Sequence, residues 1–340
     1  MLPPALGDGY MQRREIIRLL GGAALGWPLA ARAQQSDRMR RVGVLMAYAE
    51  NNSEGQTFVA AFRQGLQNLG WREGSNIAFD YRWASGDVEK MQTLAGELVT
   101  AQADAILSHS TTTTAALLKH TSEIPVIFAN VTDPVGSGFV ASLARPGRNS
   151  TGFINMEASM SGKWLGLLRD ISPGIRRVAF LFNPETAPYF AYYIEPFKAA
   201  AASLAMVATP APVHDLSDLG STIAANAREP NGGMMVMTDN FTTTNRAEII
   251  RLAASHRLPT IYPYRFFAQQ GGLMSYGSDI SDNFGRAASY VDRVLRGASP
   301  SELPVQAPVK FDLVINLKTA AALGLTVPTS MQLLADEVIE

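Results

Sequence analysis

The chain has 340 residues, 47% of them hydrophobic and 17% charged, with a formal net charge of −1. It contains no cysteine, which excludes disulfides, thiolate metal sites, a cysteine nucleophile and a lipid-bearing cysteine. With 29 basic and 30 acidic residues, it offers no electrostatic footprint for nucleic acid or for an anionic membrane surface.

The segment 11–35, MQRREIIRLLGGAALGWPLAARAQQ, reads as an export signal. Arg13 and Arg14 form a charged start, Ile16 to Ala30 is a short, mostly apolar run, and Ala31-Arg32-Ala33 is a small-x-small cleavage site. The run is too short to span a membrane. The paired arginines point to the twin-arginine route, which carries folded proteins. The ten residues before Met11 add nothing a signal needs, so translation is expected to begin at Met11. Removing 1–33 leaves about 307 residues with a net charge of about −3. That length favours two lobes over one core. Without a cysteine to anchor it, the product is expected to be a soluble periplasmic monomer.

From Arg40 onward, short apolar runs alternate with longer amphipathic ones, the pattern of βα units on mostly parallel sheets. A buried strand is expected at 42–46. Ser53 and Gln56 form a capping box for a helix whose Phe58, Phe62, Leu66 and Leu69 share a face, ended by Gly70. Ile77, Phe79, Tyr81 and Trp83 alternate with polar residues, which predicts a strand at a sheet edge. Further units follow as a helix at 87–101, a strand at 104–108, a helix at 112–121, a strand at 125–129 and a short helix at 135–144. They complete one Rossmann-like sheet.

The second half is expected to begin after Ser150-Thr151-Gly152-Phe153, with a helix whose Trp164, Leu167, Leu168 and Ile171 share a face. Strands are predicted at 178–182, 207–213, 234–237, 260–262 and 273–276. Helices are predicted at 188–204, 217–228, 243–257 and 282–296. The Pro- and Ser-rich stretch 297–308 reads as a connection to a final strand and helix.

Ligands of open α/β sheets lie beyond the carboxyl ends of the strands. The turns there are polar and include Tyr48, Ser108 to Thr113, Asn130 to Asp133, Asn183 to Thr186, Thr238 to Phe241, Tyr262 to Tyr264 and Tyr276 to Asp279. Hydroxyls and helix-start amides facing one cleft make an anion receptor. Asp133, Asp239 and Asp279 can receive a cation. Both signs together with tyrosines suit a zwitterion with an apolar or aromatic side chain. Each Ser, Thr, Asn or Asp has an alternative reading as a helix cap, and Tyr48, Tyr189, Tyr262 and Tyr276 have one as core aromatics. The four histidines show no metal spacing, so no metal site is expected. No P-loop, no G-x-G-x-x-G after the first strand and no G-x-S-x-G elbow is present, so neither a cofactor nor an enzymatic reaction is expected.

Four segments carry a resemblance: RRVGVLMAYAENNSEGQTFVAAFRQGLQNLGWREGSNIAFDYRWASGD at 40–87, IPVIFANVTDPVGSGFVASLARPGRNSTGF at 124–153, GKWLGLLRDISPGIRRVAFLFNPETAP at 162–188 and VKFDLVINLKTAAALGLTVP at 309–328. Through them the chain resembles the substrate-binding proteins of ABC transporters, the family typified by tryptophan- and tyrosine-binding members. The resemblance implies the type I periplasmic binding protein fold, with two Rossmann-like lobes joined by three crossings. These fall near Asn155, near Tyr276 to Ser278 and near Pro304 to Pro308. The lobes would be 38–154 plus 278–304, and 156–276 plus 308–340, with the small molecule held between them. The implied partners are a membrane permease and its ATPase.

Carried over by position, the turn from Ser108 to Thr112 looks like the carboxylate cradle of amino-acid-binding relatives, with Ser110 and Thr111 foremost. Thr132 resembles a second hydroxyl donor to that carboxylate. Asp239 is the first choice for an ammonium partner and Asp279 the second, while Tyr48, Asn183 and Tyr262 would line the side-chain pocket. A ligand-sensing module of the same fold and an exported α/β hydrolase remain as alternatives.

Overall fold

A computed structural model describes residues 38–340; the export signal expected at 1–33 lies outside the described residues. The first sheet is parallel, in the order β2-β1-β3-β4-β5. Its strands are β1 (Arg40–Met46), β2 (Ile77–Trp83), β3 (Ala105–Ser108), β4 (Val126–Val131) and β5 (Ser150–Ile154). β1 is covered on both faces from Val42 to Met46, and this is why its apolar run does not alternate. β2 alternates in residue type and occupies the edge, where every residue after Ile77 is half-buried. β5 was not anticipated, and its Gly152 explains why. A Cβ there would overlap the Phe128 carbonyl oxygen, so the close strand approach excludes the β-branched residues that advertise a strand.

Helices α1 (Ser53–Asn68), α2 (Val88–Thr100) and α3 (Thr111–His120) connect these strands. α1 is capped one residue earlier than expected, by Asn52, whose Oδ1 accepts the Gly55 N–H at 2.8 Å. The helix expected at 135–144 is absent, because Pro134, Gly136, Gly138 and Pro146 break the segment into turns. Asp133 closes the first of these by accepting the Gly136 N–H at 2.8 Å.

The second sheet has the order β12-β11-β10-β9-β8-β6-β7. It is built from β6 (Arg177–Phe182), β7 (Val207–Pro212), β8 (Gly232–Val236), β9 (Thr260–Tyr262), β10 (Met274–Ser278), β11 (Phe311–Asn316) and β12 (Glu337–Ile339). β6 to β10 run parallel, while β11 pairs antiparallel with β10, placing Tyr276 opposite Leu313. Its helices include α4 (Met160–Ile171), α5 (Phe190–Ser203) and α6 (Leu216–Ala227). The single helix expected at 243–257 is two, α7 (Asn240–Thr244) and α8 (Arg246–Ser255), followed by a short α9 (Arg265–Gln269).

The chain passes between the sheets three times. After β5, α4 packs on the second sheet, where Trp164 Nε1 donates to the Tyr276 carbonyl at 2.6 Å. After β10, α10 (Ile280–Leu295) returns to the first sheet and packs on α1. The helices touch so closely that a Cβ on Gly65 would sit 2.7 Å from Ala288 Cβ. Residues 303–306 run beside β5, with Gln306 N–H donating to the Gly152 carbonyl at 2.9 Å, before β11 rejoins the second sheet.

Gly277 lies in the second passage, and a Cβ there would overlap the Pro263 carbonyl oxygen and crowd Met156 Cε. That backbone cannot retreat without disturbing β9 against β10. Gly277→Ala is therefore expected to cost about 3 kcal/mol, read as a lowered urea midpoint, whereas an exposed Gly74→Asn control in open space should change it little.

Candidate functional site

On the first lobe the polar turn after β3 is organised by hydroxyls. Ser110 caps α3 in a reciprocal box with Thr113, whose Oγ1 accepts the Ser110 N–H at 2.8 Å. Ser108 Oγ bonds the hydroxyls of Thr113 at 2.9 Å and Thr114 at 2.8 Å. Thr111 Oγ1 accepts the Thr132 N–H at 2.9 Å, which ties the β3 turn to the β4 turn. Thr132 Oγ1 donates onward to Asn155 Oδ1 at 2.9 Å. All of these residues are buried.

On the second lobe the centre is Asp239, which is 4% exposed. It caps α7 by accepting the Thr242 N–H at 2.6 Å, and it also accepts the Asn183 N–H at 3.2 Å and the Thr186 hydroxyl at 3.3 Å. Burial pushes its carboxyl up to about 6, only partly offset by those hydrogen bonds. Among the described residues no cationic side chain pairs with it. Tyr189 OH donates at 2.5 Å to the carbonyl of Thr238, fixing the backbone just before the acid.

The two lobes meet across this cleft. Asn240 Nδ2 donates to Thr112 Oγ1 at 2.6 Å and Ser110 Oγ at 3.3 Å. Tyr264 OH donates to Asn130 Oδ1 at 3.3 Å, and burial pushes that phenol up to about 12. Arg246 Nη2 grips both Glu54 oxygens at 3.0 and 3.1 Å, and Gln270 Nε2 adds a bond to Glu54 at 3.2 Å. A pocket of about 230 Å³ lies alongside, with Phe58, Tyr264, Phe266 and Ile280 as its apolar lining and with Glu54, Arg265 and Asp279 among the polar groups at its wall. Tyr264 joins the two regions: its ring faces this pocket and its hydroxyl reaches Asn130.

The structure brings Ser110, Thr111, Thr132 and Asp239 to the cleft. Ser108 lies beneath it, its hydroxyl spent on Thr113 and Thr114. Tyr48 is buried against His109, with ring centres 4.6 Å apart, and burial raises its phenol far above the ordinary value. His109 is held neutral, burial pushing it down to about 3. Its Nδ1 accepts the Ala47 N–H at 3.4 Å, which leaves Nε2 as the protonated nitrogen.

Three of the expected site residues are engaged elsewhere in the structure. Asn183 does not line the pocket with its side chain: Oδ1 accepts the N–H groups of Glu185 and Thr186, and Nδ2 donates to the His214 carbonyl, so the amide builds its own turn. Tyr262 faces the core, stacked on Phe267 at 5.0 Å, because a residue within β9 points toward the covering helices while Tyr264, two residues on, has left the strand. Asp279 lines the side pocket, but it caps α10 and pairs with Lys310 at 2.6 Å. Burial alone would raise its carboxyl; Lys310 and the backbone N–H donors hold it below the usual range instead. The sequence reading named the turns that hold Asn240 and Tyr264 and a crossing near Asn155 but gave none of these side chains a role, and it passed over the Glu54–Arg246 pair. The first two stand in polar turns after strands, which is the one signal that marks them; the pair has none.

A family model described as ABC transporter substrate binding protein matches residues 44–339. The chain is 25% identical over 264 residues to a Tyrosine-binding protein of Clostridioides difficile (strain R20291), covering 78% of this chain and 75% of the relative. An ABC domain in complex with L-Trp from Streptococcus pneumonia superposes with a TM-score of 0.82 at 24% identity, over 89% of this chain and 100% of that one. A conserved domain protein from Vibrio cholerae gives 0.81 at 27% identity, over 88% and 100%. The ligand-free, open structure of a substrate binding protein with adhesive properties from Clostridium difficile gives 0.67 at 20% identity, over 89% and 99%.

Proposed function

The chain belongs to the family of ABC transporter substrate binding proteins, with the two-lobed fold of type I periplasmic binding proteins, and from that premise we propose that it captures an amino acid with an aromatic or apolar side chain between its lobes. The family is one of solute-binding proteins, not of enzymes. Asp239 carries the reading. A carboxylate buried without a cation beside it is costly unless a bound ligand supplies the positive charge. The hydroxyl turn of Ser110 and Thr111 meets the acid turn through Asn240 and suits the ligand's carboxylate, with Thr132, its own hydroxyl given to Asn155, bracing that turn from behind. The pocket of Phe58, Tyr264, Phe266 and Ile280 suits its side chain. The tyrosine-binding relative and the L-Trp complex agree with that class of ligand.

In this reading the mature protein works outside the cytoplasm, reached through the signal at 11–35 and the arginine pair, and delivers its ligand to a membrane permease driven by an ATPase. The passages at Asn155, at Ser278 and at 307–310 serve as the hinge. Among the described residues no helix is long and apolar enough to cross a membrane.

Calorimetric titration against the amino acids and a set of organic acids tests the proposal. Tryptophan, tyrosine or phenylalanine should bind, and a ligand at about 100 times its dissociation constant should add about 2.7 kcal/mol of stability. Binding of organic acids alone would overturn the zwitterion. A pH series adds a second check. The ligand's ammonium pairs with ionised Asp239, whose carboxyl titrates at about 6 in the free protein. Affinity should therefore be constant above that pH and fall by up to about tenfold per unit below it, with proton release on binding. A flat profile from pH 5 to 8 would remove Asp239 from the role.

A further inference from the structure

The strand that leaves the first lobe ends at Ile154, and the next residue, Asn155, is 2% exposed and sits where the chain passes to the second lobe. Its one amide serves both lobes. Oδ1 accepts the Thr132 hydroxyl at 2.9 Å and the Met156 N–H at 2.6 Å. Nδ2 donates to Thr238 Oγ1 at 3.3 Å. Thr132 is tied through its N–H to Thr111, and Thr238 immediately precedes Asp239. A continuous run of hydrogen bonds thus links the hydroxyl turns of one lobe to the acid turn of the other, and it passes through the hinge itself. The preceding Ile154 carbonyl is pinned by Asn283 Nδ2 of α10 at 3.0 Å. The backbone on the first-lobe side of Asn155 is therefore held, and the side chain is left as the moving link.

We infer that Asn155 is a positioning residue for ligand capture, an amide that can satisfy both lobes only when they are together. Rotation of one lobe away from the other separates Thr132 from Thr238, and a single side chain cannot follow both. One arm is lost on opening and regained on closing, so the hydroxyl turn and the acid turn reach their working positions in the same step that shuts the cleft. The Glu54–Arg246, Asn240–Thr112 and Tyr264–Asn130 contacts also join the lobes, but none of their side chains stands in a passage between the lobes, and each can simply part on opening. The inference does not depend on which molecule binds.

The absence of cysteine allows a direct test. Gln67→Cys on α1 and Ser221→Cys on α6, both at exposed positions, carry spin labels, and the distribution of distances between them reports opening. It is recorded without ligand and with L-tryptophan, well below the melting temperature. Asn155→Ala should lower the ratio of short to long distances by about five- to tenfold, the loss of one or two ordinary hydrogen bonds, in whichever condition the parent closes. Thr238→Val, which removes only the second-lobe arm, should shift the ratio in the same direction. Adding it to Asn155→Ala should change nothing further. Unchanged ratios in Asn155→Ala, additive effects of the two substitutions, or a parent that closes in neither condition would each overturn the inference. A fall in melting temperature with an unchanged distribution would make Asn155 a structural residue only.

Discussion

Asp239→Asn should abolish ligand binding and at the same time stabilise the ligand-free protein. Asparagine is as good a helix cap as aspartate, and its Oδ1 can still accept the Thr242 and Thr186 donors. What disappears is the buried charge and, with it, the Oδ2 that accepts the Asn183 N–H at 3.2 Å, a smaller loss that offsets part of the gain. The folded protein raises this carboxyl from 3.8 to about 6. Below about pH 4 both folded and unfolded chains carry the proton, and the residue costs nothing. As the pH rises toward about 6 the unfolded chain ionises first, so stability falls through that window, and the full cost persists above it. The change in denaturation free energy on substitution should therefore be about 1 to 3 kcal/mol more favourable at pH 7 than at pH 4. Removing the partner of a ligand's ammonium should cost binding about 100-fold or more. Urea titrations at the two pH values and calorimetry with L-tryptophan read both effects. A variant whose change in stability is no more favourable at pH 7 than at pH 4, or that binds as the parent does, contradicts the assignment.

Arg246→Ala should weaken ligand capture by about 10- to 100-fold, although neither Arg246 nor Glu54 belongs to the polar cluster around Asp239. The pair joins α8 of one lobe to α1 of the other with side chains only 14% and 13% exposed, so it is screened by solvent far less than an ordinary surface bridge. The guanidinium is also fixed by the Thr243 carbonyl at 3.0 Å and by the Phe266 ring, 5.3 Å from its centre. One nitrogen, Nη2, reaches both Glu54 oxygens while Nε donates to Gln270 Oε1 at 2.8 Å, and a lysine ammonium cannot reproduce this planar set of three directions. Removing one partner leaves the other charge half-buried and unpaired, a penalty of about 2 to 5 kcal/mol in the closed arrangement that is relieved on opening. Glu54→Ala should do the same. The double substitution should lose less than the two single losses combined, because the second removes a charge already stranded. Strict additivity in this double-mutant cycle would show that the two side chains do not act as a pair.

How much of this was readable in the sequence differs by element. β1, α1, β6 and α10 follow from their own residues, since an apolar run covered on both faces or a stripe at helical spacing is a local property. β5 and β12 escaped notice. The first is held by a close approach at Gly152 and the second by three residues paired to β11, and both contacts join segments far apart in the chain. The helix expected at 135–144 failed for the opposite reason: local prolines and glycines outweighed an apolar pattern that packing alone would have allowed.

The candidate site divides in the same way. That ligand-facing groups stand in the polar turns after the strands follows from chain order and strand direction, and the sequence determines both. Which of those groups are free does not. Asp239 and Asp279 look alike in the sequence, each an aspartate after a strand and before a helix, and in the structure each caps that helix. Asp279 is neutralised by Lys310, 31 residues away, which the antiparallel pairing of β10 with β11 brings alongside it. Among the described residues, the groups that hydrogen-bond to the Asp239 carboxyl are neutral donors from its own lobe. A cap is settled within four residues of chain, but the charge that compensates an acid comes from whatever the fold places next to it, and only the tertiary structure decides that.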